Sequence, residues 1–278
     1  MSGKINLNID MASTMPGGDY GKVMIDGAGK IEGDLRCERL CCDGGASIEG
    51  SVECLGEVES NGMLKIVGNL QCEALESDGA ITIEGDMQSE SLEINGRGRI
   101  AGAVHTGDTE VNGKLSVKGA FFCKDLEVNG SADFAAGVHG EKVELSGSCK
   151  VEGDLEADEV EITGSVDISG LLNGEKILID ADSRAKIGDI GGSEIKVLHS
   201  GHKMVVSLLG GRRAGGERSR GLTVNSIEGD VVEVVNTTAK VIRGRNITIG
   251  HGCRIDCVEY SGQFTAAEGT VTQAVKVE

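Results

Sequence analysis

The sequence predicts an all-β protein, a right-handed parallel β-helix of about ten 17-residue coils followed by about two looser C-terminal coils. Three observations lead there. A short motif returns at a nearly fixed step over most of the chain, its residues alternate apolar and polar, and the composition leaves little material for a thick globular core. Of 278 residues, two are Tyr, four are Phe and none is Trp, while Gly contributes 44 and Pro one. So many glycines with so little proline mark turns that recur inside an ordered fold.

Residues 1–20 read as a flexible N-terminal arm, although Ile5, Leu7 and Ile9 alternate as a capping strand would. Residues 21–200 carry the repeat. An Ile-x-Gly-x-Leu element begins at Ile31, Ile48, Ile66, Ile83, Ile100, Val117, Phe134, Val151 and Ile168, each 17 residues after the last apart from one step of 18. Its first and fifth positions are apolar and the residues between are polar or small, the alternation of a strand with one buried face. Glycine between the two inward side chains makes the wall thin and the coil narrow. A second marker, an apolar residue followed by Asx-Gly or a close substitute, keeps the same step from Val23 to Ile177 and supplies a corner. Hairpins would also use Asx-Gly, but antiparallel arms would not repeat every column 17 residues on. The left-handed hexapeptide coil needs apolar residues at steps of six, and six and twelve beyond Ile31 stand Cys37 and Asp43.

The period fails over residues 201–221, where Gly and Arg accumulate, and this stretch reads as a flexible loop. A looser apolar pattern returns over 222–262, including Ile227, Val234, Ile247, Ile255 and Val258, and 263–278 reads as a cap or tail.

A formal charge of −18 disfavours nucleic acid and anionic lipid as partners. Nine cysteines without a secretory apolar run suggest reduced thiols and a cytoplasmic location, and no stretch approaches the roughly 18 apolar residues of a membrane span. Cys37, Cys54, Cys72 and Cys123 share a column with Ser89, Thr106 and Gly140, which points to core filling rather than to a thiol site. Cys253 and Cys257 lack the paired spacing of a zinc motif, and His105 and His139 lie two coils apart, about 10 Å, too far to share a metal unaided. One position after the corner marker, Glu59, Glu76, Glu93, Glu110, Glu127, Glu144 and Glu161 form an outward acidic stripe. Its ordinary reading is a solvated face; the sharper one is docking of a divalent cation or a basic partner. Arg212, Arg213, Arg218 and Arg220 make the loop locally basic. No Ser/His/Asp arrangement, P-loop or paired zinc motif is visible, so an enzyme and a cofactor are not expected.

The block Ile-Glu-Gly-Asp-Leu at 31–35, repeated as Val-Glu-Gly-Asp-Leu at 151–155, resembles the bactofilin family of polymer-forming bacterial cytoskeletal proteins. The resemblance covers about residues 20–200. GGDYGKVMIDGAGKIEGDL near the N-terminus and GRNITIGHGCRIDCVEYSG near the C-terminus are similar to longer bactofilin-like proteins of Gram-positive bacteria. The resemblance implies a right-handed β-helix that assembles through its ends into nonpolar filaments without nucleotide. Such a polymer scaffolds cell-envelope or morphogenetic proteins and meets the membrane only through partners. Independently of the family, a β-helix exposes an unpaired rung at each end. Expected end contacts are Val23 and Ile25 on the first rung and Ile255, Val258, Tyr260 and Phe264 on the last. A capped adaptor that binds a partner through the Glu stripe is the main rival, and a carbohydrate-active β-helix a weaker one, because these coils lack long loops and aromatic grooves.

Overall fold

The computed structural model describes residues 4–199 and 220–277. Among these residues there is no helix, and parallel strands stack as a β-solenoid of about 15 turns. The architecture expected from the period is therefore present, with more turns than the repeat alone suggested. Contacts divide the chain into two units, Met1–Val143 with Gly147–Gly153, and Glu144–Ser146 with Asp154–Glu278.

In the first unit a coil is three short strands, as in Glu57–Ser60, Met63–Ile66 and Leu70–Gln71. Alternation sends Val58, Leu64, Ile66 and Leu70 inward, all buried, while their neighbours face out. Each strand pairs in parallel with its copy one coil on, Val58 with Leu75 and Leu64 with Ile81, so every column of like residues becomes a ladder. Burying one Val, Leu or Ile contributes about 1.5–3 kcal/mol, and the core is a narrow column of these. Phe121 and Phe134 are its largest fully buried side chains, their rings 4.9 Å apart and tilted by 59°.

The corners explain the glycines. A Cβ built on Gly62 would stand 1.8 Å from the carbonyl oxygen of Gly44, one coil below, and no allowed backbone shift in so regular a stack relieves that. The Asx-Gly corner requires glycine for close approach between coils, since Gly62 has no positive φ. The N–H groups of Asn61 and Gly62 both donate to the Cys42 carbonyl, at 2.9 Å each, which fixes the corner on the coil beneath.

Residues 1–20 are not simply an arm. Strands β1 (Leu7–Ile9) and β2 (Ser13–Asp19) pair with β3 (Lys22–Ile25) and β4 (Ala28–Cys37), Leu7 beside Val23 and Met15 beside Ile31. Leu7 and Ile9 bury themselves on Val23 and Ile25, whose apolar surface would otherwise face water.

In the second unit the strands lengthen, with Ser165–Asp180, Arg184–Leu198, Gly221–Val234 and Thr237–Ile249 each bending round a corner. The coil shortens at the same time. Leu222 registers with Thr237 and Ala239 with Ile255, steps of 15 and 16 residues. One saving is at a corner with two residues between inward positions, Gly188 and Asp189 between Ile187 and Ile190, where the first unit has three, as between Ile48 and Val52. Another is the corner Val235-Asn236, where Asn236 takes φ 49° and its amide donates to the Ala181 carbonyl at 2.8 Å. The expected tail 263–278 also forms strands: Phe264–Ala266 pairs on Ile247–Ile249, and Val271–Lys276 on Arg254–Tyr260. The expected loop 201–221 lies outside the described residues apart from Arg220 and Gly221.

Candidate functional sites: end rungs and outward ladders

The strands at the two ends of the pairing order have one free edge each. β1 pairs only with β3 and β2 only with β4, while Phe264–Ala266 and Val271–Lys276 each have a partner on one side only. This relocates the expected end contacts. Val23 and Ile25 are fully buried beneath β1, and Ile255 and Val258 are buried and register with Val271 and Ala274. Tyr260 also has a strand beyond it, pairing with Lys276, and its ring stacks on Phe264 at 5.0 Å. Of the six residues, Phe264 alone stands on a terminal rung; the others are covered because the arm and tail each add strands. The two ends differ chemically. The single proline of the chain, Pro16, sits on β2 beside a register shift between Pro16 and Gly18, both of which hinder pairing on an edge. Val271–Lys276, of sequence VTQAVK, has neither.

The acidic stripe is real in register. Glu59, Glu76, Glu93, Glu110 and Glu127 face one another on successive strands of the first unit, and Glu144 and Glu161 belong to the second. A second ladder, not foreseen from the charges, runs two residues further on. The Asn112 amide donates to the Asn95 side-chain oxygen at 3.0 Å and to Glu110 Oε1 at 2.8 Å; Asn129 and Asn95 repeat the arrangement on Glu127 and Glu93. Asn61 does so more loosely, at 3.4 Å from Glu59, which also takes an ion pair from Arg39 at 3.0 Å. Each carboxylate thus receives an amide proton that offsets repulsion along the row. The exception is the coil with Asp78 in the asparagine column: partial burial, then Glu93 and Asp78, push the Glu76 carboxyl above its ordinary value. Among the described residues no group of three or more His, Cys, Asp and Glu is placed to hold a metal ion.

The thiols line the interior. Cys37 registers with Cys54, and their column continues upward through Cys72 to Ser89 and Thr106, whose hydroxyls lie 3.2 Å apart. Contact with Cys54, reinforced by burial, pushes the Cys37 thiol up, and burial pushes Cys72, Cys123 and Cys149 up to about 12. They fill space as small apolar groups. His105 and His139 are joined by a residue that the histidine spacing alone does not reveal. Phe122 lies between them, stacked on His105 at 4.6 Å and on His139 at 5.1 Å, in a three-ring column on the outer face.

No family model matches the chain, and no solved structure matches it. Over 44 residues it is 54% identical to the uncharacterized protein YhbE of Bacillus subtilis (strain 168), a match covering 16% of this chain and 19% of that protein. The chain therefore spans about a fifth of that curated relative's length. The likeness carries no activity with it. No helix among the described residues is long and apolar enough to cross a membrane.

Proposed function

We propose that this chain is a structural, nucleotide-independent cytoskeletal scaffold of the bactofilin kind. It assembles end to end into filaments in the cytoplasm and positions cell-envelope or morphogenetic proteins. The observation that supports this is the pair of terminal rungs whose strands have unpaired edges: each exposes backbone donors and acceptors that a second copy can complete. The near-uniform coils and the inward thiols fit a structural role better than a catalytic one. The test is negative-stain electron microscopy of purified protein in low and moderate salt without nucleotide. Filaments many chains long are the expected result, and discrete particles of one size at every concentration would overturn it.

A second reading is favoured by Pro16 and the register shift on β2, which guard the N-terminal edge. In that reading the chain pairs only through Val271–Lys276, ends as a two-fold dimer, and binds partners along its Glu stripe. Light scattering separates the two, since a dimer has a fixed mass while a filament grows with concentration.

A further inference from the structure

A groove in the second unit has features that the scaffold reading does not use. Strand register places Asp167, Lys186, Thr223, Thr238 and Arg254 side by side on five successive strands. Two residues on, at the shortened corner, Ser169, Gly188, Asn225, Lys240 and Asp256 form the facing row, and a cavity of about 370 Å³ lies between the rows over a floor of Ile168, Ile187, Val224 and Ala239. That volume is within the range of about 300–1,000 Å³ for small-molecule sites.

The charges in this groove are unneutralised where their neighbours elsewhere are paired. Cross-strand partners in the same unit form ion pairs, Lys176 with Glu159 and Arg243 with Glu259, at 2.7 Å each. Asp167 registers directly with Lys186, and Lys240, between Ala239 and Val241, faces Asp256 in the same ladder. Yet among the described residues Lys186, Lys240 and Arg254 make no ion pair. Three cations in a chain of net charge −18 thus line a cavity beside two hydroxyls and an amide.

We propose that this groove binds a small hydroxylated molecule carrying one phosphoryl group. The donors suit a phosphoryl group better than a carboxylate, because it offers three strong acceptor oxygens and nearly two charges to Lys186, Lys240, Arg254 and the hydroxyls of Thr223 and Thr238. Asp167 and Asp256 at the two ends accept hydroxyl protons from the ligand and repel a second anion. The assignment is independent of filament formation.

The test is isothermal titration of the full chain with glycerol 3-phosphate, inorganic phosphate and glycerol. Expected are saturable binding of one glycerol 3-phosphate per chain, weaker binding of phosphate and none of glycerol. The double variant Lys186→Gln, Lys240→Gln weakens binding at least tenfold with an unchanged circular dichroism spectrum, and Lys118→Gln, on the other unit, leaves it unchanged. Asp167→Asn narrows the preference for glycerol 3-phosphate over phosphate. Absence of saturable binding, or undiminished binding in the double variant, overturns the proposal. So does loss of binding when Arg212, Arg213 and Arg218 are replaced by Gln instead.

Discussion

At the scale of single residues, two glycines separated by a short distance make opposite demands. Gly62 has a carbonyl oxygen 1.8 Å from where its Cβ would be, whereas a Cβ on Gly45 meets nothing within 4 Å. Gly62→Ala is expected to cost at least about 1–3 kcal/mol, the usual penalty of overpacking, and Gly45→Ala to be near neutral; chemical denaturation of both variants measures the difference. Glu76 provides a pH-dependent counterpart. Its folded-state pKa is raised, so its charged form opposes folding at neutral pH and the penalty vanishes as pH falls through the raised value. Glu76→Gln therefore raises the melting temperature at pH 7, and the gain over wild type shrinks to nothing in acid. A gain of equal size at both pH values would assign it to packing.

At the scale of elements, the asparagine ladder is what makes a row of stacked carboxylates tolerable. Asp78→Asn completes the ladder beside Glu76 and keeps an acceptor for the Asn95 amide, which now reaches Asp78 at 2.9 Å. It should stabilise by about 0.5–1.5 kcal/mol, the net worth of a hydrogen bond. Asn112→Asp does the reverse, setting a carboxylate against Glu110, and its cost should fall as salt rises; unfolding in low and high salt checks both. The coils between Val23 and Ile179 were legible in the sequence because every inward column repeats at one step. The terminal elements were not. The N-terminal rung buries only Leu7 and Ile9 on its first strand, too short a run to stand out, and the C-terminal coils lose one or two residues at corners, so a search at 17 slides out of register after Ile187. The candidate site was misread for the same reason: residues expected at the ends lie one rung inward. Phe122 escaped notice because its contacts with His105 and His139 arise from stacking across coils, which residue type alone does not announce.

At the scale of the whole molecule, the scaffold reading depends on whether an open rung is completed by another copy. The terminal rung Phe264–Ala266 and Val271–Lys276 holds Ala266 and Ala274, both exposed, so lysines there add repelling charge at the edge without disturbing the core. The most direct measurement is negative-stain electron microscopy, without nucleotide, of wild type beside the Ala266→Lys, Ala274→Lys variant. The account predicts filaments from wild type and short particles from the variant, with the same circular dichroism spectrum for both. Single particles from wild type at every concentration, or filaments undiminished in the variant, would contradict it.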